Sequence, residues 1–311
     1  MVGYFIRAFE VAHRSYDNSR WREVRYLIRT RESLIVVSLA RFVGRQYSIL
    51  KAIAFATYKE WSVYRSHSMV SLLVGPVYFL VQYFIWKAVY HNHHSFSGLS
   101  LEQMITYFAI ASLINYIIMD FADWNLQMLI QTGKFLTFAL RPMSHVYFAF
   151  CQKVGHRILG VIFEFIPLFL IFTFILKIRL FPARAFWAVI SIALGFIMMF
   201  LVDYCVGITA FWLTRTSGVR RMFLLLRDIC SGVLVPLTLF PDILQKVFFI
   251  LPFQFITYVP VRVFIGSYEL GGYSCTIPHI VSIQAVAVLF MMVFTFLFSR
   301  QGMKQFTGVG A

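Results

Sequence analysis

Acid is scarce in this sequence. Thirteen Asp and Glu stand against 28 Lys and Arg in 311 residues, and charge of either sign makes up only 13% of the chain, against about 25% in an average soluble domain. So little charge in a chain that is 60% hydrophobic excludes one water-soluble core and implies an all-α, multi-spanning membrane protein. Four cysteines, Cys151, Cys205, Cys230 and Cys275, lie far apart and form no CxxC, which excludes a disulfide framework and a zinc knuckle. A phosphate-cradling GxxxxGK[ST] loop is missing. Gly133-Lys134 is the one Gly-Lys pair, and it lacks both the upstream glycine and the following hydroxyl residue, so ATP is not expected on this chain. There is likewise no nucleophile elbow, no HExxH and no paired-carboxylate motif, and an enzyme is not expected. The first 30 residues lack an apolar h-region, so no cleavable signal is expected either.

The excess of cations is abundant by contrast, with a net charge of +15, and its placement decides its meaning. Most Lys and Arg flank apolar runs, as membrane topology requires, so nucleic acid is not an expected partner. Residues 1–67 read as a basic cytoplasmic leader with twelve Lys/Arg against five acids. Within it, YSILKAIAFATYKEWSVY (47–64) mixes apolar and polar residues at near-helical spacing and predicts an amphipathic helix in the headgroup layer. Six apolar runs then predict six transmembrane helices within 68–300: 68–88, 103–119, 158–176, 185–212, 222–240 and 280–299. Residues 301–311 form a tail. With the leader and tail on the cytoplasmic side, 22 Lys/Arg fall inside and six outside, the asymmetry expected of that orientation.

Two connections stand out. QTGKFLTFALRPMSHVYFAFCQKVG (131–155), in the expected inner loop 120–157, is too basic to span and too apolar for a solvated loop. Leu136, Leu140 and Tyr147 recur at helix-compatible spacing, and Pro142 forces a break or a new helix start. FPDILQKVFFILPFQFITYVPVRVFIGSYELGGYSC (240–275) is apolar but interrupted by Pro241, Pro252 and Pro260. It predicts a re-entrant helical hairpin between spans five and six.

Intramembrane acids are costly in hydrocarbon. Glu164, Asp203 and Asp228 are therefore the polar candidates, as a proton or ion relay or as acids paired with a neighbouring Arg or Tyr. Glu164 lies two turns from Arg157, so the two share a face with about 10 Å between them along the axis. Asp228 adjoins Arg227, and helix neighbours point in different directions. Pro76 and Pro167 predict kinks. The HNHH run (His91, Asn92, His93, His94) reads as a polar outer turn; no Cys or acid downstream completes a metal site.

Three stretches resemble the type-2 export class of bacterial ATP-binding-cassette (ABC) permeases, six-span membrane subunits. FATYKEWSVYRSHSMVSLLVGPVYFLVQYFIWKAVY (55–90) is similar to the family's approach helix, Tyr-Arg step and first span. GKFLTFALRPMSHVYFAFCQKVGHRI (133–158) is similar to its inner loop. AFWLTRTSGVRRMFLLLRDICSGVLVPLTLFPDILQKVFFILPFQFITYVPVRVFIG (210–266) is similar to its Phe-Trp exit, Val-Pro-Leu and Phe-Pro turns, Leu-Pro-Phe and Tyr-x-Pro-Val-Arg run. The resemblance covers roughly 47–300. The leader 1–46 is longer than the family's usual start, and Asp203 stands where its pattern is generally uncharged.

The resemblance implies an ABC exporter permease in the bacterial inner membrane, both termini cytoplasmic, paired with a second copy or a homologous permease. A separate soluble ABC ATPase subunit would carry ATP and Mg, with no cofactor in this chain. It implies an ATPase-coupling helix around Gly133, Leu140, Arg141, Pro142 and Met143. It implies an outer re-entrant gate around Pro236, Pro241, Pro252, Pro260 and Arg262, and dimer contact along spans one and five. The aromatic content of 18% suits membrane lipid and an amphipathic or hydrophobic cargo. The alternative is a proton-coupled secondary carrier using Glu164 and Asp203. Against it, the sequence has no two related halves with paired broken spans.

Overall fold

A computed structural model describes residues 44–60, 62, 65–92, 99–178, 180–213 and 217–306; most of the leader, His93, His94 and the last five residues lie outside the described residues. The chain divides into two compact units, 1–52 and 53–311. Of the first, residues 44–52 are described, and they are helical.

Helices make up almost all of the described chain. A first helix, α1 (44–60), coincides with the amphipathic stretch. Then come α2 (Arg65–Val89), α3 (Leu101–Ile118), α4 (Ala122–Gln131), the single turn α5 (Leu136–Ala139), α6 (His145–Ile175), α7 (Ala185–Phe211), α8 (Ser217–Cys230), α9 (Asp242–Ile250), α10 (Tyr258–Ile265) and α11 (Ile277–Gln305). Four stretches are long and apolar enough to cross a membrane: Leu101–Gln131 (α3 with α4), α6, α7 and α11. α2 runs for 25 residues through the first expected apolar run, with Pro76 inside it.

The helices outrun the apolar windows at the end that carries the 132–144 connection. α3 yields to α4 after a break of three residues, and α6 begins at His145 rather than near 158, so the expected loop 120–157 shrinks to thirteen residues. A window of hydropathy stops at charge; here the charges pair between helices, and the helices continue through them. α3 begins with a capping box, in which Ser100 and Gln103 satisfy each other's backbone N–H groups. In α6, π-helical turns at Val161–Phe165 and Ile171–Ile175 bracket Pro167. The expected kink thus takes the form of a local change of register around a residue that cannot donate.

The fifth apolar run departs from its expectation. α8 stops at Cys230, and 222–240 is not one helix. Gly232 takes a φ of +79°, and Val235-Pro236 extends the chain into a short 3-10 turn, Leu237–Leu239. The freed carbonyls find partners: Ser231 O accepts from Tyr258 N–H at 2.9 Å and Gly232 O from the Tyr107 hydroxyl at 2.8 Å. Beyond α10, Tyr268–Leu270 and Tyr273–Cys275 form an antiparallel hairpin in register Tyr268 with Cys275. Its turn is Gly271-Gly272, both at positive φ, the geometry of a two-residue hairpin loop.

Packing centres on α7, which meets α3, α4, α10 and α11. Gly195 lets α10's approach come close, since a Cβ there would lie 2.8 Å from Ile256 O. Gln284 of α11 donates to Ser191 O (3.0 Å) and Phe255 O (2.9 Å), and its Oε1 accepts from the Ser191 hydroxyl. One fully buried amide thereby ties α11, α7 and the segment before α10. Exposed apolar side chains fall in stripes, Ile158, Ile162, Ile166, Leu170 and Phe174 on α6 and Val286, Leu289, Phe290, Val293, Phe296 and Leu297 on α11. Spacing of three and four puts each stripe on one face, and together they far exceed the apolar patches of water-soluble monomers.

Candidate functional site

The connection between α4 and α6 starts where the backbone must turn left-handed. α4 ends at Gln131, Gly133 has φ +69°, and the Gly133 N–H donates to Ile130 O and that of Phe135 to Leu129 O at 3.1 and 2.9 Å. This is a glycine-terminated helix end, where any Cβ is strained. α5 follows as one turn. The chain then bends through Leu140–Met143, and Ser144 caps α6 by accepting from Tyr147 N–H at 3.4 Å. Pro142 occupies the bend, where its missing donor and fixed φ prevent α5 from running into α6.

The two sides of this connection differ. On the buried side Phe135, 2% exposed, meets Phe211 at the end of α7 and Phe306 just after α11, with ring centroids at 5.2 and 5.3 Å. Phe211 and Phe306 meet each other at 6.0 Å. Gly302 lets α11 seat on α7, since a Cβ there would be 2.7 Å from Phe211. His145 contacts Phe135 and Phe138 and bonds through Nδ1 to the Tyr204 hydroxyl of α7 at 2.9 Å. Edge-to-face contacts of this kind contribute about 0.5–1.5 kcal/mol each beyond burial. The connection is therefore clamped to the ends of α7 and α11. On the open side Leu140 is 81% exposed, with Leu136 beside it at 47%. Arg141 lies over the rings of Phe138 (4.4 Å) and Phe148 (5.4 Å), which holds the bend in shape. Pro142 is exposed and Met143 half-buried.

Next to the clamp is a layer of buried ion pairs. Arg227 of α8 binds Asp203 of α7 at 2.6 Å and turns back onto Asp228 at 2.9 Å. That pairing of sequence neighbours overturns the expectation that they point apart, because the long guanidinium side chain folds over its own helix. Glu164 and Arg157, expected to stay about 10 Å apart, approach to 3.6 Å. Both side chains reach across Gly160, where a Cβ would lie 3.1 Å from each. Lys153 lies 3.7 Å from Asp120 and donates to Phe196 O at 2.8 Å, and Arg220 pairs with Asp123. Asp120 also accepts from the backbone N–H groups of Phe121 and Ala122, turning the chain from α3 into α4. Each of the three candidate acids thus lies against an arginine, Glu164 and Asp228 within their own helices and Asp203 across from α7 to α8.

The residues expected to form an outer gate are spread along one segment rather than gathered at a point. Pro236 precedes the Leu237–Leu239 turn, Pro241 begins α9, Pro252 begins the turn Pro252–Phe255, and Pro260 sits in the first turn of α10. Arg262 lies in the last turn of α10, where its carbonyl accepts from Gly266 and Ser267 N–H. Side chains satisfy the irregular backbone here: Gln245 donates to Phe240 O (2.7 Å), Gln254 to Phe249 O (2.7 Å) and Tyr258 to Glu269 O (2.6 Å).

Sequence reasoning missed Asp120, Asp123, Lys153 and Arg220, whose signal was a balanced set of acids and bases flanking expected span ends. It also missed the clamp of Phe135, Phe211 and Phe306, since Phe211 was read only as part of the Phe-Trp exit and nothing distinguishes the other two from other apolar residues. Among the described residues, no group of three His, Cys, Asp or Glu could hold a metal ion; His91 is exposed. Comparison with known families matches residues 77–310 to a family model described as ABC-2 family transporter protein. Comparisons with curated proteins and with solved structures returned no match.

Proposed function

The chain belongs to the ABC-2 transporter family, a family of membrane permeases, and on that premise we propose that it is the membrane subunit of an ATP-driven exporter. In this reading a separate ATPase subunit binds ATP and Mg, and the 132–144 connection is the point it grips. The observation that carries it is the two-sided build of that connection: a bare Leu140 knob on one side, an aromatic clamp to α7 and α11 on the other. A load applied at Leu140 reaches two apolar helices through packed rings rather than through a loose loop.

The finer features follow in the same reading. The protein sits in a bacterial inner membrane with both termini cytoplasmic and residues 1–67 as a basic leader whose helix lies on lipid. Six crossings comprise α2, α3 with α4, α6, α7, α8 with the chain to 240, and α11. Residues 236–262 form a re-entrant gate at the outer end; supporting it, irregular backbone at membrane depth requires internal partners of the kind Gln245, Gln254 and Tyr258 supply. A second permease, identical or related, completes the pathway. Closure of two ATPase subunits on ATP moves α7 and α11 as a body, and an amphipathic or hydrophobic cargo passes outward.

Affinity purification of the full chain from its native membrane in mild detergent tests this. The expected companion is a soluble-type chain bearing a phosphate-cradling Gly-rich loop, bound less well by a Leu140→Asp variant. Uphill movement of cargo by the purified chain alone in vesicles, driven by a proton gradient, would establish the secondary carrier instead.

A further inference from the structure

A cleft of about 910 Å³ opens beside the clamp, between the 135–150 stretch, α7 and α11. That volume lies at the upper end of small-molecule sites. Its depth follows from the helices that wall it. From Lys304 up to Met292 on α11 is twelve residues, about 18 Å, and from Phe211 to Ile197 on α7 is about 21 Å. One leaflet of hydrocarbon is about 15 Å, half of a ~30 Å core.

The lining sorts by depth. By position along α7 and α11, the apolar Ile197, Phe200, Leu201, Met292 and Phe296 lie farther from the 132–144 end than Arg300 and Lys304, and Arg141 lines the cleft from the connection itself. No acid lines the cleft, and among the described residues none pairs with these three cations. All three are exposed, and Arg300 is held over Phe296 at 4.3 Å. His145 and Tyr204, which also line the cleft, bond to each other through Nδ1 and the hydroxyl at 2.9 Å.

We propose that this cleft is a binding site for an anionic phospholipid, one acyl chain lying between α6, α7 and α11 and the acidic headgroup among Arg141, Arg300 and Lys304. An apolar slot as long as a leaflet with three cations and no acid at its mouth matches that shape and charge. The connection itself forms one wall through Phe138, Ala139 and Met143, so an occupied cleft braces the segment that bears Leu140. This depends on the chain being membrane-embedded, which the family establishes, and not on its pairing with an ATPase.

Native mass spectrometry of the full chain in neutral detergent, titrated with phosphatidylglycerol or phosphatidylcholine of matched chains, reads the site directly. We expect phosphatidylglycerol to be retained about tenfold more tightly, a difference of about 1.4 kcal/mol. Arg300→Gln with Lys304→Gln should bring it to the phosphatidylcholine level, and Ser299→Trp should block both lipids. Equal retention of the two lipids by the wild-type chain would overturn the proposal without recourse to any variant. So would full retention in both variants, which places the lipid elsewhere, or displacement by inorganic phosphate alone, which makes the site one for small anions.

Discussion

A single guanidinium, that of Arg227, answers two carboxylates from two helices, and one of them, Asp203, has no exposed surface. Removing one partner of a buried pair costs about 3–5 kcal/mol because the other charge is left stranded. Arg227→Gln should therefore lower the yield of monodisperse protein and its melting temperature in detergent, and adding Asp203→Asn should restore much of both; an additive double variant would contradict the pairing. Gly133 presents a different constraint. With φ at +69°, Gly133→Val should cost about 1–2 kcal/mol, read as a lower melting temperature, while Lys134→Ala next to it should cost little. Of these residues, Asp203 and Gly133 stood out in the sequence, one as a costly charge and the other as part of the coupling region that the family resemblance implies. Arg227 was visible only as the neighbour of Asp228; its pairing with Asp203, 24 residues away, was not, because nothing local links them.

Helices were visible wherever a long run of apolar residues had no competitor. α7 and α11 were placed within a few residues for that reason. The extent of α3 with α4 and the start of α6 were not, because Asp120, Asp123, Lys153 and Arg157 lie within those stretches and read as loop until their partners are known. The fifth run failed in the opposite way: apolar residues continue through 231–240, but Gly232 and Pro236 break the helix, and tertiary hydrogen bonds satisfy the break. α1 offers a test at this scale. Its backbone rests directly on α6, where a Cβ at Gly155 would lie 2.8 Å from Ala54 Cα, and no side chain intervenes to give way. Gly155→Val should lift the helix, exposing the bond after Lys59 to trypsin several-fold faster than in the wild type. Unchanged cleavage would mean that the contact does not hold α1.

For the whole molecule, the proposed orientation rests on the distribution of charge in the sequence, and the family match over 77–310 carries the class of protein. The coupling role proposed for the 132–144 connection had only a location in the sequence, the Arg-Pro bend at 141–142 in a short connection between two helices. Its mechanism was not legible there, because clamp rings from positions 135, 211 and 306 meet only after folding. Cysteine labelling in intact cells checks the orientation: in a background without reactive native thiols, Ser274→Cys should react with an impermeant reagent and Thr137→Cys should not. The central claim is that the ATPase grips the exposed face of the 132–144 connection, and binding affinity tests it most directly. Burying one leucine contributes about 1.5–3 kcal/mol, which corresponds to a tenfold or greater change in affinity. Measured with purified components, Leu140→Asp should bind the ATPase at least tenfold more weakly than the wild type while melting at the same temperature; equal binding by the two would contradict the account.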